Sequence, residues 1–277
     1  GDFRTMPAYL PSLSIAGVKI VNVHPDNPRL GLPTVMALTV ILDIATGRPL
    51  AVINATRLTD MRTGAAGAVA AKYLSRKREV VLGVIGTGRQ AEAQVAAISR
   101  ELKIQEVRIW GRNPGHVRRF ADRFMEFPCF SLPIDKTCDC DVLVTTTPST
   151  QPIIRSEWIR EGTHINAIGA DAPGKEELDP AILNRAQVFV DDLAQAVHSG
   201  EINVPISTGL YHKEDIAGTL GEVVTGKKHR ADPDTITIFD STGLAIQDLA
   251  IAKIAMQHGK KFDLPTQEAA EAAVAKL

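Results

Sequence analysis

From Glu79 onward the apolar residues gather in short runs with amphipathic stretches between them. Glu79-Val-Val-Leu-Gly-Val-Ile predicts a buried strand, Gln90 to about Leu102 a helix, Glu106-Val-Arg-Ile-Trp a second strand and His116 to Met125 a second helix. Asp141-Val-Leu-Val-Thr-Thr-Thr, His164-Ile-Asn-Ala-Ile-Gly, Gln187-Val-Phe-Val-Asp and Thr235-Ile-Thr-Ile-Phe-Asp continue the strand series. Apolar strands that alternate with helices imply a parallel sheet covered on both faces, so the fold class expected is α/β with a Rossmann-type doubly wound sheet. Ahead of it, Thr63 to Leu74 reads as a helix whose glycines and alanines permit close packing.

The N-terminal stretch has another rhythm. Gly17-Val-Lys-Ile-Val-Asn-Val, Thr34-Val-Met-Ala-Leu-Thr-Val-Ile-Leu-Asp and Leu50-Ala-Val-Ile-Asn are strands separated by Pro and Gly turns, with Asp43 to Gly47 as a hairpin loop. The helix from Gly243 to about Gln257 follows the last Rossmann-type strand and returns to this first domain. The pattern therefore predicts a dinucleotide-binding domain at 63–242 and a smaller, discontinuous α+β domain made of 1–62 and 243–277. The Glu- and Ala-rich tail after Pro265 reads as a polar helix.

Composition narrows the function. With 277 residues, 44% of them hydrophobic, the chain has enough apolar material for about two cored domains. Its 31 Lys+Arg against 32 Asp+Glu give neither nucleic acid nor an anionic membrane a field to follow. The basic runs Arg76 to Arg78 and Lys227 to Arg230 read as solvated loop ends. No apolar run approaches the roughly 20 residues that span a bilayer. Cys129, Cys138 and Cys140 are too few for a disulfide framework, and a reducing cytoplasm is expected. Cys138-x-Cys140 lacks further ligands at zinc spacing, so no metal is expected.

Three features carry chemistry. Gly86-x-Gly88-x-x-Ala91 lies between a strand and a helix, where glycines allow a tight turn and the helix N-terminus offers N–H groups to a pyrophosphate. At the end of the second strand, Trp110-Gly111-Arg112-Asn113 has no carboxylate for a ribose 2′-hydroxyl, while Arg112 suits a 2′-phosphate; NADP is therefore expected ahead of NAD. Otherwise Arg112 is a solvated loop residue. Gly169-Ala-Asp171-Ala-Pro-Gly-Lys175 places an acid and a base after a central strand, where open α/β sheets bind ligands. Lys19 sits in an apolar strand and either faces solvent or does chemistry. His24, before Pro25, and His198, at a helix end, read first as hydrogen-bonding and capping residues.

Arg4-Thr-Met-Pro-Ala-Tyr-Leu, Gly17-Val-Lys19-Ile-Val-Asn-Val-His-Pro, Gly31-Leu-Pro-Thr-Val-Met-Ala, Met61-Arg62-Thr-Gly-Ala-Ala-Gly, Gly169-Ala-Asp171-Ala-Pro-Gly-Lys175 and Phe239-Asp-Ser241-Thr-Gly-Leu-Ala-Ile-Gln-Asp together resemble the ornithine cyclodeaminase/mu-crystallin family. Within it, the wording is most similar to that of archaeal-type alanine dehydrogenases. The resemblance implies that Arg4 binds a substrate carboxylate, Lys19 polarises a carbonyl or assists proton transfer, and Asp171 is a general acid/base. It also implies cofactor or active-site positions for Thr34, Arg62, Lys175 and Ser241. Arg89 and Gln90 belong to the phosphate turn, Thr145 to Thr147 lie beside the cofactor, and Asn113 and Gly169 join the cofactor set. The smaller domain becomes a substrate and dimerisation domain and the protein a homodimer. Family members carry a further stretch ahead of the Arg-x-Met-Pro motif. The Gly111-Arg112 turn is more like the NADPH-binding mu-crystallin pattern.

The activity expected is an NAD(P)-dependent interconversion of a small 2-amino acid with its 2-oxo or imino acid. The alternatives are an ornithine cyclodeaminase lyase, a ketimine or pyrroline-2-carboxylate reductase, and a non-catalytic NADPH-dependent binder. The side chain of the substrate is not encoded in any of these motifs.

Overall fold

A computed structural model describes residues 1–258, so the tail expected to be helical after Pro265 lies outside the described residues. The chain divides into two compact units. One holds residues 1–56 with the helix Ala245–His258; the other runs Arg57–Leu244.

In the first unit, β1 (Asp2–Leu10), β2 (Ile15–Val23), β3 (Val35–Asp43) and β4 (Pro49–Asn54) form an antiparallel meander in sequence order. Alternation decides which residues are covered: Ile15, Gly17, Lys19 and Val21 of β2 are buried while their neighbours are only half-buried. Leu249 and Ala252 of the helix Ala245–His258 close that face over Ile15 and Ile41. The opposite face leaves Phe3, Tyr9, Leu38 and Val52 exposed. The pattern had not marked β1 as a strand, because Pro7 interrupts it. As an edge strand paired with β2 alone, β1 tolerates a residue without an N–H.

Helix α1 (Thr56–Leu74), which lies in the second unit from Arg57 on, starts at Thr56 rather than at the expected Thr63. Then follow β5 (Glu79–Ile85), α2 (Arg89–Glu101), β6 (Lys103–Trp110), α3 (Pro114–Ala121), β7 (Cys129–Ser131), α4 (Ile134–Cys138) and β8 (Val142–Thr145). The chain continues through β9 (Thr150–Ile154), β10 (His164–Ala167), β11 (Glu176–Leu178), α5 (Pro180–Leu183), β12 (Ala186–Val190), α6 (Leu193–Ser199), α7 (Asn203–Ser207), β13 (Gly218–Thr219), α8 (Leu220–Val224) and β14 (Ile236–Asp240). Eight strands make a parallel sheet in the order β13-β12-β14-β10-β8-β5-β6-β7, and β9 pairs with β11 beside it. The strand order reverses between β5 and β8, the kind of switch point at which such sheets open a crevice.

Val80, Leu82 and Val84 of β5 pack with Val107, Ile109, Val142 and Val144 under Val95 and Ile98 of α2. Ile85, Leu143, Ile165, Val188 and Ile238 belong to a second core. The small residues of α1 have a packing reason: a Cβ on Gly64 would meet the Ala93 carbonyl carbon at 2.8 Å, and one on Gly67 would strike Gln94. Helix α3 ends at Ala121, short of the expected Met125, where the chain turns and the Phe124 ring packs against Phe120 with centroids 5.2 Å apart and planes tilted by 51°. No described helix is long and apolar enough to cross a membrane.

Candidate active site

The glycine turn after β5 has the backbone its sequence requires. Gly86 sits at φ 105°, a region open to glycine, and a Cβ there would come within 2.6 Å of the Thr146 hydroxyl. Gly88 is the N-cap of α2, and no side chain caps it. A Cβ on Gly88 would meet nothing within 4 Å, so the backbone faces open space at a helix N-terminus suited to an anion. That space is a cleft of about 640 Å³ bounded by Gly86 to Gly88, Trp110 to Asn113, His116 and Thr146 to Ser149. The structure thus brings Gly86, Gly88, Arg112, Asn113 and Thr146 to one place. A dinucleotide fits these residues.

Three expected ligands have other uses there. The Asn113 side-chain oxygen accepts from the N–H groups of Gly115 (2.8 Å) and His116 (3.2 Å), so it caps α3. The side chains of Arg89 and Gln90 reach Asp60 on α1: Arg89 Nε donates at 2.9 Å and Gln90 Nε2 at 3.2 Å. Burial pushes the Asp60 carboxyl up, and Arg89 opposes that shift. His116, which the motif reading passed over, lines the cleft.

Glu177 was also missed. Its buried carboxylate receives four hydrogen bonds: Oε1 from the Thr147 N–H (2.6 Å) and hydroxyl (2.7 Å), Oε2 from the Thr145 hydroxyl (2.7 Å) and the Gly169 N–H (3.0 Å). It ties the end of β8 and Thr147, in the stretch beyond it that lines the cleft, to the start of the Asp171 loop. Gly169 is glycine for the same reason, since a Cβ there would collide with the Thr147 carbonyl oxygen and the Glu177 carboxylate. Burial pushes Glu177 up and these four donors oppose it. Only its Glu-Glu-Leu strand context could have flagged it.

Beneath Glu177, Glu201 Oε1 accepts from the N–H groups of Glu177 (2.8 Å) and Leu178 (2.6 Å). Burial, then the nearby Glu177 charge, push the Glu201 carboxyl well up. Asp240 accepts from the Glu201 N–H at 2.9 Å and the Ile202 N–H at 3.2 Å, and burial raises it to about 8.

Asp171 forms an ion pair with Lys175. Their loop turns at Gly174 (φ 79°) and is held by Asn203, which accepts from the Gly174 N–H and donates to the Lys175 carbonyl, both at 3.0 Å. Arg62 packs so close to Gly243 that a Cβ there would strike the guanidinium. Ser241 is buried at the end of β14, and its hydroxyl has no hydrogen-bond partner among the described residues.

In the first unit, Lys19 is not on a solvated face. It is 1% exposed and its Nζ lies 2.6 Å from Oδ2 of Asp248, itself 3% exposed. Met6 and Thr39 stand opposite Lys19 on the flanking strands, and Arg4 stands opposite Val21, two residues along. Residues directly opposite share a face, so Arg4 and Lys19 project from the same side of the sheet. Arg4 also pairs with Asp2. Thr34 precedes β3, and its carbonyl accepts from the His24 N–H at 2.8 Å. His198 lies in the last turn of α6.

Among the described residues no group of His, Cys, Asp and Glu is arranged to hold a metal ion. Cys138 and Cys140 are buried, and burial pushes the Cys138 thiol up to about 12 and raises Cys140 as well.

The chain is similar in sequence and in structure to known proteins. Alanine dehydrogenase of Archaeoglobus fulgidus is 52% identical over 262 residues, covering 93% of this chain and 80% of that protein. The solved dimer of an archaeal alanine dehydrogenase with bound NAD superposes with a TM-score of 0.92 at 49% identity, covering 96% of this chain and 85% of the other. Thermococcus litoralis Δ1-pyrroline-2-carboxylate reductase, solved with NADH and L-proline, gives 0.90 at 33% identity over 95% and 84%. The ornithine cyclodeaminase/mu-crystallin family model matches residues 1–261, and the chain belongs to that family.

Proposed function

We propose that this chain is a nicotinamide-dependent oxidoreductase that interconverts a small 2-amino acid with its 2-oxo or imino acid. The observation that carries the reading is the cleft at the Gly86 to Gly88 turn, with an uncapped helix N-terminus at one end and Arg112 on its rim. Gly86, Gly88, Arg112 and Thr146 would hold the cofactor, which when bound supplies or accepts a hydride at Cα. Arg89, Gln90, Asn113 and Gly169 would shape that turn and its surroundings through the contacts described above. Thr34, Arg62, Lys175 and Ser241 are proposed as further cofactor or active-site positions.

The chain's own groups divide the remaining work. Arg4 binds the substrate carboxylate through its planar guanidinium. Lys19 presents an ammonium to the carbonyl or imine, and Asp171 moves protons at the nitrogen and at the attacking water. General acid/base groups contribute about 10²–10⁴-fold, so Asp171→Asn or Lys19→Met should lower turnover by that factor while dinucleotide binding persists. Full turnover in either variant would remove the assigned role.

NADP(H) is the preferred cofactor in this reading, because Arg112 stands at the second strand's end where a ribose-binding acid is missing. The protein is proposed to be a homodimer, associating through the exposed Phe3, Tyr9, Leu38 and Val52 face. The test is nicotinamide absorbance with pyruvate plus ammonium, NADH and NADPH compared, with proline formation from ornithine as control. Oxidation of either cofactor supports the proposal. Proline from ornithine without net oxidation would replace it with the lyase.

A further inference from the structure

We infer that Asp248 is a positioning residue for Lys19, keeping its ammonium charged and fixed in direction. The inference rests on the role proposed above for Lys19. An ammonium removed from water is driven to lose its proton, and a carboxylate in contact restores the charged form. Lys19 meets both conditions: it is 1% exposed among apolar strand residues and 2.6 Å from Asp248.

The fold supplies the carboxylate at a fixed point. The helix Ala245–His258 lays Leu249 and Ala252 into the core over Ile15 and Ile41, which sets the rotation of the helix and holds Asp248, next to Leu249, over β2. From the other elements of this unit, Met6 and Thr39 stand directly opposite Lys19, and Arg4 is the nearest charged residue in register on the same face. Arg4, itself paired with Asp2, opposes the lysine's charge, and the Asp248 carboxylate in contact with Nζ sustains it. Stability alone does not call for the pair, because a buried ion pair adds little over well-packed apolar side chains. A carboxylate in contact with the ammonium also holds it at one point over the sheet.

Two measurements test this on the full chain. The first follows the Lys19 Nζ signal in lysine-labelled protein through a pH titration, assigned by its loss in Lys19→Met. Lys19 should remain an ammonium beyond about pH 9 in the wild type, and Asp248→Asn should lower its titration by about one pH unit or more. The second is turnover with pyruvate plus ammonium. Asp248→Asn should lower kcat about tenfold or more with a KM change within about threefold, and Asp248→Glu should recover part of kcat because it restores the charge. An unmoved titration, or kcat within about twofold of wild type in Asp248→Asn, overturns the inference. If the Asn variant does not fold, a wild-type Lys19 that loses its proton below about pH 8 overturns it, and an ammonium beyond pH 9 supports it. Full turnover in Lys19→Met would remove the catalytic reading of Lys19 instead, and the titration still decides whether Asp248 holds its charge.

Discussion

Replacing Glu177 by glutamine changes one atom and breaks a constraint no side-chain flip can repair. Each carboxylate oxygen faces one backbone N–H: Thr147 at 2.6 Å on Oε1, Gly169 at 3.0 Å on Oε2. The hydroxyls of Thr145 and Thr147 can turn to accept, but the backbone donors cannot. In either orientation the glutamine amide nitrogen therefore points at an N–H, losing a hydrogen bond and stranding a buried donor. A bond to a charged group is worth about 1.5–3 kcal/mol and a stranded donor costs about 1–3 kcal/mol. Removing a buried charge returns part of this, since burial pushes the Glu177 carboxyl up. The net cost should be about 2–4 kcal/mol. At about 2–4 °C per kcal/mol for a domain of this size, the melting temperature followed by circular dichroism should fall by roughly 5–15 °C. Dinucleotide affinity should fall with it, because Thr147 lines the cleft. A melting temperature within about one degree of wild type would refute the four-donor argument.

Three further outcomes follow from the same chemistry. Asp240 is raised by burial from an ordinary 3.8 to about 8, so the folded state holds a proton that the unfolded state has lost between those values. Stability should therefore decline as pH rises through that window, and a denaturant midpoint series should show a shallower decline in Asp240→Asn. His164 is lowered to about 3 by burial, with Thr237 at 2.9 Å and Asn166 at 3.0 Å on its ring nitrogens. Its contribution runs the other way, present above about pH 6.5 and lost as pH falls toward 3, so acid melts should steepen below pH 6. Arg112→Ala should weaken NADPH binding by about tenfold or more and leave NADH within about threefold, read by fluorescence titration; equal losses would place Arg112 outside 2′-phosphate recognition.

The periodicity made the parallel sheet legible because β5, β8, β10, β12 and β14 are largely buried and each carries two or more β-branched or large apolar residues, or Ile beside Ala in β10, between polar turns. The strands β7, β11 and β13 were not, since two or three residues carry no period, nor was β9, whose Thr-Gln-Pro start reads as a turn. Gly86 and Gly88 were legible as a turn because only their spacing between strand and helix matters. Asn113 was not legible as a cap, since a helix cap and a ligand use the same amide. Asp248 and Glu177 were hidden for a different reason. Each acts on a residue distant in sequence, Lys19 in one case and Thr147 with Gly169 in the other, and an isolated acid near a helix start or in a short strand looks like a solvated one.

The central claim is that the cleft serves hydride exchange with an amino or imino acid. The direct measurement is the absorbance of NADPH and NADH with pyruvate and ammonium, repeated in Asp171→Asn. The account predicts oxidation that requires both pyruvate and ammonium and falls about 10²–10⁴-fold in the variant. Cofactor that binds but is not oxidised with these or with a cyclic imino acid would contradict it.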